Sequence, residues 1–467
     1  MREAQFAKRP GPLPALACVC LCLAAVSPAS ALEVGADFAV DGRDVSGEGE
    51  SLDLRSRFAL RLEGTLAERL TGEALAALWL RQIPSARAIA DEGSFVRLGW
   101  RPAGWAEGEG LSLRLFPFES GRLRLGYDYP VAWSGELPGS EAQGAEARLT
   151  RSRWYGFVAA RTSQGTKPNS GELQRLFLLL AGGGFDLLPV LRLEAAGGYA
   201  DQGAVAVSAR QGYLSASAEA LSGRVLFHRG APVGRSVDLS FFRNEPGFLD
   251  SVLAAENYSG GVSTTLSLEG LWFSQTGVFG DGASGEPALR RDWSGAGALQ
   301  ARVKAGFLRA HALGMVRSLS LAEAGGNAVT GASPYLQAQA SSQPEWLVSA
   351  GVDYHFAAPG LTPGLVLRVG LPATLASDPP PFISTRPSTV VVGETGIIAL
   401  APGASRQATL TTKATLRWGL DESVCAVGEA WWTRDPNRLA ARSDALIRSD
   451  EPSDDVLGFA FLLQAGF

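Results

Sequence analysis

The last dozen residues, 456–467, constrain this chain more than any other stretch. Leu457, Phe459, Phe461, Leu463, Ala465 and Phe467 fall on every second position, with Val456, Gly458, Ala460, Leu462, Gln464 and Gly466 between them. Side chains alternate across a strand with period two, so one face is a continuous apolar band and the other is narrow and mixed. In water such a terminal strand would leave a bare edge inviting aggregation. A closed barrel has no edge, and its lipid-facing wall needs an outward apolar band about ten residues long.

This end resembles the C-terminal strand of bacterial outer-membrane β-barrels. The resemblance implies that Phe467 serves as an insertion signal for the barrel-assembly machinery, and that the chain resides in the bacterial outer membrane, in contact with its lipids. The other end agrees. Arg2, Lys8 and Arg9 precede an apolar run from Leu13 to Val26, and Ala29, Ser30 and Ala31 supply small residues for cleavage. Residues 1–31 therefore read as a secretory signal peptide, with a mature barrel over 32–467. A lipoprotein signal is disfavoured because Ala15, Leu16 and Ala17 before Cys18 depart from the usual lipobox order.

With the signal removed, Cys425 is the one cysteine left, so no intrachain disulfide can form. Three basic residues and one acid leave with it, taking the formal charge from −5 to −7, which offers nothing to nucleic acid. No mature segment has the 18 or so uncharged apolar residues of a spanning helix. Any crossing must then be made by strands, since only helices and closed barrels satisfy the backbone in hydrocarbon.

Leu52 to Glu63 alternates most cleanly: Leu52, Leu54, Phe58, Leu60 and Leu62 lie on one face, Asp53, Arg55, Arg57, Arg61 and Glu63 on the other. Glu73 to Gln82 has helix propensity but reads as a strand. Leu123, Leu125, Tyr127, Tyr129, Val131 and Trp133 form the return strand of a hairpin, and Ser134 to Ala145 an external loop. Val205 to Ala220 is one long strand or a hairpin, Val237 to Phe241 starts another strand, and Gly280 to Trp293 reads as a loop. The expected fold is all-β, a transmembrane antiparallel up-and-down barrel of 16–22 strands centred on 18. Trp100, Trp133, Trp346, Trp418 and Trp432 suit interfacial girdles. The chain starts its wall at Leu32 without the plug domain of a TonB-dependent transporter.

The face opposite the aliphatic one lines the lumen. Its basic residues are Arg55, Arg57, Arg61, Arg97, Arg101, Arg114, Arg122, Arg124, Arg192, Arg302, Lys304, Arg368, Lys413 and Arg417. Basic rings favour anions; the alternative is a mixed lining in which Asp53, Glu63 or Asp128 balance the arginines. The long interruption near 372–408 carries two apolar runs, Thr389–Val392 and Ile397–Leu400. It either folds inward to narrow the pore, as the constriction loop does in the porins it resembles, or extends two strands beyond the membrane.

Catalytic and metal chemistry find no constellation. His228, His311 and His355 lie in no nucleophile motif, and Asp353 beside His355 reads as lining. No Cys or His cluster has metal-ligand spacing, and Gly182–Gly184 lacks the lysine of a phosphate loop. No cofactor is implied and an enzyme is not expected. The expected function is a porin-like channel for passive diffusion of small hydrophilic solutes, with anions a candidate class. The alternatives are a non-conducting barrel acting as anchor or scaffold, and a substrate-specific export or uptake channel. Self-association into a homo-oligomer stays open.

Overall fold

The computed structural model describes residues 32–44, 52–81, 89–91, 93–118, 123–126, 131, 133, 143–167, 172–208, 212–230, 233, 258, 261–280, 287–319, 341–377, 388–393, 396–401, 403–421, 423–439 and 453–466. The first strands are β1 (Leu32–Asp44), β2 (Leu52–Ala67), β3 (Leu70–Arg81), β4 (Ile89–Asp91), β5 (Phe95–Trp100), β6 (Gly110–Phe116), β7 (Gln143–Thr150) and β8 (Trp154–Thr166). Then come β9 (Leu173–Leu188), β10 (Leu191–Ser208), β11 (Gly212–Arg229), β12 (Val262–Gly280), β13 (Pro287–Ala305), β14 (Leu308–Arg317), β15 (Ser341–Gln343) and β16 (Glu345–Tyr354). The last are β17 (Leu361–Leu371), β18 (Ala373–Ser377), β19 (Ser388–Gly393), β20 (Gly396–Ala399), β21 (Thr409–Gly419), β22 (Val424–Arg434) and β23 (Asp455–Gly466).

Each wall strand pairs antiparallel with its neighbours, and β4 and β5 share one place beside β3. The result is a closed barrel of 18 strands. The C-terminal strand closes it, pairing with β1 from Asp37↔Gly466 to Asp44↔Phe459. The Phe461 ring lies over Gly42 at this seam, where a Cβ would collide with it. Phe467 and residues 1–31 lie outside the described residues.

The alternation read from the sequence holds around the wall. In β16, Trp346, Val348, Val352 and Tyr354 are exposed, while Glu345, Leu347, Ser349 and Asp353 between them are buried. In β23, Leu457, Phe459 and Leu463 face out, and Ala460, Leu462 and Gln464 face in. Trp100, Trp346 and Trp418 are exposed as girdle positions require, but Trp133 is buried.

Two stretches differ from expectation. Residues 287–293 belong to β13, whose pairing with β12 runs on to Gly280↔Pro287. Once a hairpin passes beyond hydrocarbon its side chains need not be apolar, so alternation fades while backbone pairing continues. Val205 to Ala220 is a hairpin between β10 and β11. Val237 to Phe241 lies outside the described residues.

The 372–408 segment begins as an extension of the β16–β17 hairpin. Gln343↔Thr374 continues the register of Trp346↔Leu371 across Pro344 and Pro372. Proline cannot donate to the ladder, so the wall breaks there and a separate four-stranded sheet of β15, β18, β19 and β20 begins. Arg406 seals the break, one Nη donating to the carbonyls of Pro344 (2.7 Å) and Pro372 (2.8 Å). Val390, Val391, Val392, Ile398 and Leu400 of the two apolar runs are buried.

At the opposite end two turns are clasped together by Glu109. Its carboxylate accepts from the backbone N–H of Ser152 (2.8 Å) and of Ala106 (3.1 Å), and Arg151 lies 3.6 Å away. These backbone donors hold its pKa below the ordinary carboxylate value. A depressed folded pKa contributes stability above the unfolded carboxylate range and loses it as pH falls through the folded value. Glu109→Gln is therefore expected to lower the thermal midpoint at neutral pH, with the difference from wild type disappearing in acid. Parallel melting curves of the two proteins across that range check it; a constant difference would contradict it.

Candidate functional site

Among the described residues, those just after β6 reach across the lumen. After β6, Leu123, Leu125 and Trp133 are buried, and Leu125 and Trp133 exchange two backbone hydrogen bonds of 2.8 Å. They cluster with Leu75 of β3, Phe95 of β5, Leu176, Leu178 and Leu180 of β9, and Phe273 of β12. The rings of Trp133 and Phe273 are 6.0 Å apart. These wall residues lie on the inner face: Leu173 and Leu179 of β9, out of phase with them, are the exposed ones. Val131 packs against Ala298 of β13, Leu313 and Met315 of β14, and Leu347 of β16. Since β3 and β14 lie far apart around the ring, the described residues of this segment, Leu123 to Gly126, Val131 and Trp133, together reach across the barrel interior.

Leu123, Leu125, Val131 and Trp133 are thus not in a wall strand, while Tyr127 and Tyr129 of the expected strand lie outside the described residues. Period two is shared by a strand in the wall and an extended segment packed inside it, so alternation could not separate them. The signal lay elsewhere, in β9. Its run Leu176 to Leu180 is apolar on both faces, which a lipid-facing strand over a watery lumen does not need. The inner leucines are partners of the crossing segment.

The lumen face beside and below this apolar cluster is charged. Arg57 of β2 is buried, and Arg55 and Arg61 flank it on the same face. Buried Glu73 of β3 binds Arg97 at 2.5 Å and Arg61 at 3.5 Å. Arg97 stands directly across from Arg114, and Arg114 across from Glu146. The Arg114 guanidinium also lies 4.6 Å from the Phe95 ring centre. On β7 and β8, Arg148 stacks on Tyr155 at 4.1 Å, and Arg161 is buried. The Tyr155 hydroxyl donates to Glu194 (2.8 Å), which also binds Arg224 at 2.5 Å. Gly182 and Gly184 take part in this packing: a Cβ at Gly182 would collide with Ala196, and one at Gly184 would press on Tyr155.

The remaining expected residues divide. Arg192 pairs with Asp186 through two bonds of 2.5 and 2.9 Å. Arg302 and buried Lys304 face inward on β13, as do Arg368 on β17 and Lys413 and Arg417 on β21. Lys413 is 3.4 Å from Glu429, and Arg302 donates to the Val233 carbonyl at 3.3 Å. Arg124 belongs to the crossing segment, and Arg101 is exposed on a turn. Arg122 lies outside the described residues. The acids Glu73, Glu194, Glu429 and Asp186, none of them singled out from the sequence as a partner, emerge only from cross-strand register.

Asp353 and His355 do not act on each other. Asp353 accepts from Arg309 at 2.9 Å, and the His355 Nδ1 is 3.0 Å from the Thr362 hydroxyl. The His355 ring stacks on Tyr258 at 4.2 Å. Burial, with Arg417 and Arg309 nearby, pushes its pKa down and keeps it neutral at pH 7.

No family model and no curated protein matches the sequence. Solved structures do resemble the fold. Acinetobacter baumannii OccAB1 aligns over 94% of this chain and 96% of its own, at 10% identity and TM-score 0.50. OccAB2 from the same organism aligns over 94% and 98%, at 11% identity and TM-score 0.50. Pseudomonas aeruginosa OpdK with vanillate aligns over 93% and 98%, at 10% identity and TM-score 0.47. The chain shares the fold of these barrels. Its outward apolar band suits a lipid bilayer, where a closed barrel satisfies every backbone group.

Trp133 is the largest buried side chain of the crossing segment's pair of anchors, and truncating such a residue costs about 3–5 kcal/mol. Trp133→Ala is expected to speed hydrogen exchange at the Leu125 amide by orders of magnitude while wall strands such as β12 keep their protection. Unchanged exchange at Leu125 would contradict the anchoring.

Proposed function

We propose that this barrel is a passive, porin-like channel for small hydrophilic solutes, with anions favoured. The observation that supports it is the concentration of guanidinium groups in one sector of the inner face. Arg55, Arg57, Arg61, Arg97, Arg114, Arg148 and Arg161 fall on β2 to β8, with Glu63, Glu73 and Glu146 as the acids on the same face. Elsewhere the charges alternate more evenly, as in Glu194 with Arg224, Asp353 with Arg309, Glu345 with Arg317 and Glu429 with Lys413. Excess positive charge along a narrowed path raises the local concentration of anions. The crossing segment sets the width, and the arginine sector sets the charge. Insertion through Phe467 by the barrel-assembly machinery, and any self-association, belong to the same proposal.

A substrate-selective channel is the second reading. Apolar wall groups that cluster with the crossing segment lie beside the arginines, as where Arg114 covers Phe95 of β5. Such a juxtaposition suits a small carboxylate with an apolar body. Saturable block of the current by such a compound would select this reading over a general pore.

Planar-bilayer recording in a salt gradient tests the main proposal. Wild type is expected to give discrete steps with an anion-preferring reversal potential. Replacing Arg97 and Arg114 together by glutamine is expected to move that potential toward cation preference. Cation preference in the wild type, or a folded barrel that never conducts, would overturn it, the latter in favour of an anchoring role.

A further inference from the structure

We propose that the outer wall over β7 to β11 holds an acyl chain of an outer-leaflet lipid whose anionic headgroup is met by Arg175. The inference rests on the membrane placement of the barrel and not on its channel activity. Cross-strand register puts Leu113, Ala147, Val158, Ala181, Gly197 and Leu221 in one outward row. The row above it is Ala145, Ala160, Leu179 and Tyr199. The small residues of these two rows leave a groove of about 600 Å³, edged by Leu113, Leu179 and Tyr199.

Packing does not impose all of that emptiness. A Cβ at Gly197, in the groove itself, would press on the Leu221 Cδ2 methyl at 3.2 Å, the far end of a flexible side chain, and come no nearer to backbone than the Ala220 carbonyl at 3.7 Å. Hydrocarbon is the medium against which this face lies, and a void beside lipid forfeits dispersion contacts unless a chain fills it.

The position of the charge fixes the orientation. Arg175 is exposed on the same outward face of β9, six residues above Ala181 and opposite Gln164. Between them, the Phe177 and Tyr199 rings sit 5.8 Å apart at the groove's upper edge. Six residues of strand span about 20 Å. At a strand tilt near 40° this projects to about 15 Å, half of an about 30 Å hydrocarbon core. With Ala181 at the midplane, Arg175 thus reaches the headgroup level. It does so at the end bearing the long connections, which is the external side.

Native mass spectrometry of the intact barrel, extracted from membranes and exchanged into fresh detergent, tests the assignment. Wild type is expected to retain an anionic lipid. Ala147→Phe with Ala181→Phe should lose it severalfold, with Gly197→Ala as a milder filling that adds only a methyl group. Arg175→Gln should weaken retention of anionic lipid while leaving neutral phospholipid unchanged. Heat-modifiable migration on gels verifies that each variant is folded. Lipid-free wild type, or equal retention by wild type and the folded filled variants, would overturn the proposal. So would a change in oligomeric mass on filling, which would show that a second copy occupies the groove.

Discussion

Everything in this structure depends on a hydrogen-bonded wall that has no free edge. In hydrocarbon an unpaired backbone N–H or carbonyl costs several kcal/mol, so the chain must return its last strand to its first. The β1–β23 seam does this, and it explains why Gly42 faces Phe461 and why the terminal strand carries the most regular apolar face. Where the wall leaves the membrane the demand relaxes. Pro344 and Pro372 break the ladder there, and the Arg406 guanidinium replaces the lost partners.

Closing the wall creates a second constraint, because an inner face must then be given something to touch. Two solutions share this lumen. One part is apolar and is covered by the crossing segment, with Trp133 and Leu125 clustered with β9 and Val131 with β13 to β16. The other is ionic, and its acids, above all Glu73 between Arg61 and Arg97, hold the guanidiniums in place. Removing one member of such a buried pair costs far more than the pair itself is worth, so the arrangement fixes geometry more than it adds stability.

Much of this was legible in the sequence. Outward faces of β2, β16, β21 and β23 followed from alternation, because lipid enforces it residue by residue. Strand number followed from chain length and spacing. The crossing segment was not legible as such, since its own alternation matches that of a wall strand; only the doubly apolar β9 distinguished the two. Residues 287–293 were missed for the opposite reason, since pairing persisted where the apolar pattern had ended. The lumen arginines were placed on the inner face by parity, whereas their partners needed register. Glu73 sits in a stretch with helix propensity, and nothing local announces that it will stand across from Arg97. Likewise the 372–408 segment drew attention as either a constriction or an external hairpin, and nothing local in 123–133 announced that Leu125, Val131 and Trp133 would reach across the lumen.

Single-channel conductance of a barrel in which residues 123–133 are replaced by a short Gly/Ser link is the most direct measurement. If that segment spans the lumen and limits flow, the shortened barrel conducts in larger steps than wild type while keeping its heat-modifiable fold. Equal steps from the two folded proteins would contradict a crossing segment that narrows the pore.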